Sequence, residues 1–300
     1  MNIIFMGTPD FAVSSLEKIF NSKHKLLAVV TAPDKERGRG RKVSFTPVKE
    51  FALENNLTLF QPEQLKSDSF INSLEKLAPE LFVVVAFRIL PREVFSIPKF
   101  GSFNLHASLL PKYRGAAPIQ WAIINGDKET GVTTFALEDK VDTGNIFIQK
   151  KLEILDKDNF GKIHDKLSII GADAVIETID LINSGNFTLL GQDNTLASSA
   201  PKIVKENGLI DWHKPAANIN NLIRGLSPYP GAYFYFKDKL IKIYNASINK
   251  EKVLMPGEID SHKDQLIIGC GQYSLNIIEL QLEGRKKLSI SEFLHGFDFI

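Results

Sequence analysis

The sequence predicts an α/β fold: a Rossmann-like N-terminal domain on a mainly parallel sheet, followed by a small C-terminal β-barrel of the OB-like kind. Three observations predict it. Over the first half of the chain, short β-rich runs alternate with helical stretches, the order that parallel βαβ units need. The run Leu81–Phe87 is apolar on both pleat faces, as a central parallel strand covered on each side must be. After a polar, aperiodic stretch at Gly191–Ala200, the pattern changes to short alternating strands punctuated by Gly and Pro.

In order, Asn2–Met6 reads as the first strand and Pro9–Phe20 as an amphipathic helix. Leu26–Thr31 is the second strand, 32–44 a polar loop, and Val48–Asn55 a helix. Phe103–His106 and Gly131–Leu137 are further strands, with the helix Pro118–Asn125 between them. Ile163–Asn183 has helical periodicity and is expected to pack across the outside. Beyond the polar stretch, a short helix near Ala216–Arg224 precedes strands at Ala232–Phe236, Lys239–Asn245, Gln265–Ile268 and Leu275–Glu279. The expected organisation is a first domain over 1–188, a linker over 189–205 and the barrel over 206–300.

Composition narrows the function classes. The chain has 300 residues, is 44% hydrophobic and 24% charged, and carries a formal net charge of +1. Bulk charge therefore does not drive nucleic-acid binding, and any such contact must come from local patches. The one cysteine, Cys270, excludes an internal disulfide and a multi-cysteine metal site. It ends an apolar run, Leu266–Gly271, and is expected to serve packing. No apolar run approaches the ~20 residues of a membrane span. The N-terminus MNIIFMGTPDF lacks a basic n-region and reads as a buried strand rather than a leader. The expectation is a cytoplasmic monomer without membrane contact.

The cofactor question turns on Gly7. A dinucleotide turn needs three spaced glycines for the pyrophosphate to approach the helix N-terminus, and Gly7-Thr-Pro-Asp-Phe-Ala12 offers one. With no phosphate-loop sequence and no His or Cys pair at metal spacing, neither NAD, ATP nor a metal is expected.

The segment 104–142, NLHASLLPKYRGAAPIQWAIINGDKETGVTTFALEDKVD, carries the chemistry. Asn104 and His106 lie two apart on a strand, so their side chains share a face. They sit at the strand's C-terminal end, where open α/β sheets build their sites. Asp142 opens a loop after the next strand, which can bring a carboxylate to the imidazole. Amide and imidazole can donate to a developing oxyanion while the carboxylate orients the ring. By residue chemistry alone, the Asn-x-His pair also fits a structural hydrogen-bonded pair. A hydrolase using Ser108 is weaker, since Ser108 lies in no G-x-S-x-G elbow.

The block NLHASLLPKYRGAAPIQ (104–120), with GVTTF (131–135) and DTG (142–144), resembles the folate-dependent formyltransferases. The resemblance continues in GTPDFA (7–12), TAPDKERGRGRK (31–42), VVAFRILP (84–91), APKIVKENGLIDW (200–212) and PGEI (256–259), so it spans nearly the whole chain. It implies Asn104, His106 and Asp142 as the catalytic group, since an Asp follows His106 at the family's spacing. It also implies 10-formyltetrahydrofolate as co-substrate, with Ser108, Leu109, Leu110 and Pro111 among its contacts. GTPDFA, AAPIQ and the basic loop are typical of the branch that formylates initiator methionyl-tRNA; the alternative is the sugar-nucleotide branch. A local departure is Phe87-Arg88, where many relatives carry Tyr-Gly.

The loop Lys35–Lys42 has an argument of its own. Lys35, Arg37, Arg39, Arg41 and Lys42 alternate with two glycines, next to the second strand. A charge run is ordinarily a solvated face. A pliant, Arg-rich segment on the active-site edge can instead grip phosphates. The resemblance implies that Arg37, Arg39, Arg41 and Lys42 contact the tRNA acceptor stem, with further contacts from the second domain.

Overall fold

The computed structural model describes residues 1–37 and 42–299; the side chains of residues 36, 37, 42 and 43 are not described. The first strands are β1 Asn2–Gly7, β2 Lys25–Val30, β3 Lys35–Arg37, β4 Lys42–Ser44, β5 Leu59–Phe60 and β6 Leu81–Val85. They are followed by β7 Ser102–His106, β8 Arg114–Gly115, β9 Glu129–Ala136 and β10 Ile146–Glu153. Six helices accompany them: α1 Val13–Phe20, α2 Pro47–Glu54, α3 Asp68–Lys76, α4 Arg92–Phe95, α5 Pro118–Ile124 and α6 Phe160–Ser184. After these come β11 Ser199–Ala200, α7 Ala216–Gly225, β12 Ala232–Phe236, β13 Lys239–Asn249 and β14 Ile259–His262. The chain finishes with β15 Gln265–Gly269, β16 Ser274–Leu282, β17 Leu288–Ser289 and α8 Ile290–Leu294.

Seven strands form the first sheet, in the order β10-β9-β7-β6-β1-β2-β5. The pairs β5–β2, β2–β1, β1–β6 and β6–β7 are parallel, and β9 runs antiparallel to β7. Leu81–Val85 is buried at every position, which explains why its sequence shows no alternation. Ile4, Met6, Phe82 and Val84 pack with Phe70, Leu74 and Val94 of α3 and α4. On the opposite face, Gly171 of α6 meets Leu105: a Cβ there would lie 2.7 Å from Leu105 Cδ2. Thr134 and Thr178, both buried, join β9 to α6 through a hydrogen bond between their hydroxyls at 2.7 Å.

Local signals set the helix starts. Thr46 caps α2 by accepting from the Lys49 N–H at 3.1 Å, and Pro47 follows it in the first turn. The helix expected over Pro9–Phe20 begins as a 3-10 turn, Asp10–Ala12, before becoming α at Val13. The expected loop over 32–44 contains a paired hairpin, β3 with β4. Its base is anchored by Asp34, which meets Lys49 at 2.5 Å and accepts from Gln61 Nε2 at 2.8 Å. Those two partners, the Lys49 hydrogen bond foremost, hold the Asp34 carboxyl below its ordinary range.

The chain packs into two units that interleave in sequence. One holds Met1–Gly115, Thr130–Leu152 and His164–Ser199; the other holds Ala116–Glu129, Glu153–Ile163 and Ala200–Ile300. In the second, β12-β13-β16-β15-β14 form an antiparallel sheet with β17 beside β16. The expected change from parallel to antiparallel β structure is therefore present. Phe234, Ile241, Ile243, Leu266, Ile268, Leu275 and Ile277 alternate inward to a core shared with Ile219 and Ile223 of α7. Cys270 lies in that core, and burial pushes its thiol up to about 11.

Candidate functional site

Strand β7 delivers the first two side chains. Val84 pairs with Asn104, Asn104 with Phe135, and His106 with Thr133. Residues directly opposite in a sheet share a face, so Asn104, His106 and Thr133 project together, away from Leu105 and α6. Among the described residues, the half-buried Asn104 amide has no hydrogen-bond partner, which leaves its two N–H donors open.

His106 is 7% exposed, and both ring nitrogens have defined neighbours. Nε2 lies 2.8 Å from the carbonyl oxygen of Tyr113. A carbonyl only accepts, so Nε2 carries the proton in this geometry. Nδ1 faces Asp142 Oδ2 at 3.8 Å, beyond hydrogen-bond range but close for opposite charges. Asp142 is buried, and Oδ2 accepts the Gly115 N–H at 2.8 Å. The backbone is bent to make these contacts: Tyr113 has φ +61° and Asp142 φ +57°. A bulky residue such as Tyr adopts that region only when its surroundings impose it. Gly144 is required two residues on, because a Cβ would overlap the Ala136 carbonyl.

The 108–111 stretch turns beneath this pair. Ser108 is fully buried and its hydroxyl donates to the Lys112 carbonyl at 2.6 Å. Leu110 is also buried, packed with Phe135 and Ile146. Only Leu109, Pro111 and the backbone remain open to a ligand from this turn. Thr133 Oγ1 fixes it by donating to the Ser108 carbonyl (2.6 Å) and accepting the Leu110 N–H (3.1 Å). Arg88 ties the end of β6 to the chain after β5, donating to the carbonyls of Pro62 (2.6 Å) and Glu63 (3.0 Å). Burial lowers its pKa. Gly7 serves close packing: a Cβ there would stand 2.8 Å from Ala12 Cβ and 3.1 Å from the Val85 carbonyl.

Of the basic loop, Arg39 and Arg41 lie outside the described residues, and Arg37 and Lys42 are described only as paired backbone. The second unit has a cavity of about 630 Å³ lined by Lys202, Lys205, Lys242, Tyr229 and Tyr233 among others. Lys205 Nζ stands 5.9 Å from the Tyr233 ring centroid, and Tyr229 is 75% exposed. Among the described residues, no helix is long and apolar enough to cross a membrane, and no three His, Cys, Asp or Glu side chains cluster as metal ligands.

Sequence reasoning missed Tyr113, Gly115 and Gln192, which restrain the pair or its turn, and Thr133, which holds the 108–111 turn. The first two lie inside the PKYRG stretch, on either side of Arg114, where their restraints are legible only as a motif. Thr133 is placed by its register with His106, which only the folded sheet sets, and nothing local signals Gln192.

An open amide, a braced imidazole and a buried carboxylate at the strand ends of an α/β sheet are equipment for acyl-type group transfer. The chain belongs to the formyl transferase family, whose Formyl transferase domain matches residues 1–179 and whose Formyl transferase, C-terminal domain matches residues 202–298. It is 47% identical to the methionyl-tRNA formyltransferase of Caldanaerobacter subterraneus subsp. tengcongensis, over 99% of this chain and 97% of that one. Among solved structures it resembles WlaRD, a sugar 3N-formyl transferase, with a TM-score of 0.70 at 21% identity, covering 95% of this chain and 99% of that one. It also resembles HypX from Aquifex aeolicus in complex with tetrahydrofolic acid, with a TM-score of 0.68 at 17% identity; there it covers 98% of this chain but spans only 46% of the other.

Proposed function

We propose that the protein transfers the formyl group of 10-formyltetrahydrofolate to the amino group of initiator methionyl-tRNA, giving N-formylmethionyl-tRNA for translation initiation. The observation that carries this reading is the 47% identity, over 99% of the chain, to a methionyl-tRNA formyltransferase. The 0.70 TM-score to a sugar formyltransferase supports the fold, and its 21% identity gives no comparable support for a sugar substrate.

The mechanism follows from donor geometry. The neutral methionyl amine adds to the formyl carbon, a C–N bond forms, and the carbonyl π pair moves onto oxygen. The Asn104 amide, which has no other partner among the described residues, donates to that oxygen. With Nε2–H given to Tyr113, the imidazolium's second proton sits on Nδ1 and is the other donor. Asp142, at 3.8 Å from Nδ1, offsets the imidazolium charge without taking this proton in a hydrogen bond. Collapse breaks the bond to N10 of the folate; N10 gains a proton and the new amide nitrogen loses one, so charge balances. A preorganised donor of this kind contributes roughly 2.7–4 kcal/mol to transition-state stabilisation.

Residues 1–188, apart from the stretches 116–129 and 153–163 that pack in the second unit, act as the catalytic domain, with the folate along the strand ends against Leu109 and Pro111, and 206–300 as a tRNA-contacting domain. Arg37, Arg39, Arg41 and Lys42 grip the acceptor end, and the Lys202, Lys205, Lys242 and Tyr233 surface suits phosphates beside exposed bases. The protein works in the cytoplasm as a monomer. The test is formyl transfer by purified protein from 10-formyltetrahydrofolate, with charged initiator tRNA and an amino-sugar nucleotide as competing acceptors. Formylation of the sugar and not of the tRNA would overturn the reading.

A further inference from the structure

The segment 190–198 reads in sequence as a featureless polar stretch, yet it is bound to the candidate site at every other residue or so. Leu190 exchanges both backbone hydrogen bonds with Ile146, at 2.8 and 3.0 Å. Ser198 accepts the Arg114 N–H through its carbonyl (2.8 Å) and the Tyr113 N–H through its hydroxyl (2.9 Å). Gln192 is the centre. Its Nε2 donates to the carbonyls of Asp142 (3.0 Å) and Gly144 (2.8 Å). Its Oε1 accepts from Arg114 Nε (3.2 Å) and Nη2 (2.6 Å). Nη2 also donates to Asn194 Oδ1 at 2.9 Å. Both amide hydrogens and both oxygen lone pairs of Gln192 are thus used.

The two carbonyls that Gln192 holds flank Thr143, in the turn that puts Asp142 at φ +57°. A left-handed non-glycine residue costs of order 1–3 kcal/mol and persists only where its surroundings over-determine it. The guanidinium that orients Gln192 belongs to Arg114. That residue lies between Tyr113, whose carbonyl holds His106, and Gly115, whose N–H holds the Asp142 carboxylate. Both restraints on the His106–Asp142 pair therefore converge on the Arg114–Gln192 contact, 50 residues beyond the carboxylate in sequence.

We infer that Gln192 is a positioning residue for formyl transfer: its amide, oriented by Arg114, holds the Asp142–Gly144 turn so that the carboxylate faces His106. This rests on Asp142 and His106 belonging to the catalytic group. Gln192 touches no reacting atom and acts only through that turn.

Gln192→Glu isolates the role. It keeps the size and an oxygen toward Arg114, but turns an oxygen instead of an NH2 on the two carbonyls. Displacing a reacting group by about 1 Å can cost ~10²-fold. The expected result is a kcat lower by about 10- to 100-fold, with KM for tRNA and folate within about threefold and the melting curve retained. If Gln192→Glu loses its melting transition, Gln192→Ala, which removes the repulsion, takes its place in the same cycle. In an Asp142→Ala background, the Gln192 change should lower kcat no further, because a residue acting through Asp142 has nothing left to position. A multiplicative loss in the double variant, or wild-type kcat in Gln192→Glu, would overturn the inference. Near-normal activity of Asp142→Ala alone would instead bring down the catalytic reading, and this inference with it.

Discussion

Thr133 offers the sharpest test of how the 108–111 turn is held. Its hydroxyl is buried in β9, donates to the Ser108 carbonyl, and accepts from the Leu110 N–H and from Gln149 Nε2 at 3.0 Å. Thr133→Val keeps the shape and deletes the hydroxyl. Gln149 is exposed and keeps its bond to the Leu110 carbonyl, so it is not stranded. The Ser108 carbonyl and Leu110 N–H lose this partner in buried surroundings, at roughly 1–3 kcal/mol each. The expected destabilisation is about 3 kcal/mol, or roughly 6–12 °C in Tm for a unit of this size. Thr133→Ser keeps the hydroxyl and loses only a methyl, at about 1 kcal/mol. Thermal melts of both variants decide it, together with the thermal shift given by a folate analogue, which should weaken in Thr133→Val. If the two variants melt within about 2 °C of each other, the hydroxyl does not hold the turn.

Three further outcomes are expected. Asn104→Ala and His106→Ala should each lower kcat by on the order of 10² or more, and the double variant should fall short of the product, because both act on one charge; full multiplicativity in steady-state rates would separate their roles. Replacing Arg39 and Arg41 by Ala should weaken tRNA binding and flatten its log–log salt dependence by somewhat under one unit per lost phosphate contact, with folate affinity unchanged; a salt series on tRNA affinity reads both. His24 is held below 6.5 chiefly by burial and then by the Met1 ammonium, against the Asp180 carboxylate, whose Oδ1 stands 3.2 Å from Nε2 without hydrogen-bonding alignment. A lowered histidine contributes stability that is complete above the unfolded value and lost as pH falls below it. His24→Gln should therefore lose less Tm than wild type between pH 7 and pH 5, and an equal loss would count against His24 as the source.

Much of this was legible in the sequence because the signals were local. Leu81–Val85 announced a doubly covered strand by composition, and the two-residue spacing of Asn104 and His106 announced a shared face. What sequence left out depends on partners. Leu59–Phe60 is a strand only because β2 lies beside it, and two residues carry no periodicity. β10 is half exposed and reads too polar for a strand, while α3 buries just Phe70 and Leu74. At the site, residue types and spacing pointed to Asn104, His106 and Asp142. They could not reveal that Ser108 faces inward, that Tyr113 and Asp142 take left-handed backbone, or that Gln192 reaches back to the Asp142 turn.

Helix α5 belongs to the second unit although it is encoded within the first half of the chain. Gly225 of α7 is shaped to receive it: a Cβ there would lie 2.6 Å from Ile124 Cγ1 and 3.1 Å from the Gln120 carbonyl. At about 5–20 residues per second, α5 leaves the ribosome some five to twenty seconds before α7 exists. During that interval Ile124, packed against the second unit's core in the finished protein, has yet to meet this partner. A fragment starting at residue 200 would meet the converse problem, with the groove at Gly225 uncovered. Cutting the gene at the polar stretch would therefore expose apolar surface on both products, and a soluble fragment of the second unit needs residues 116–129 supplied as well.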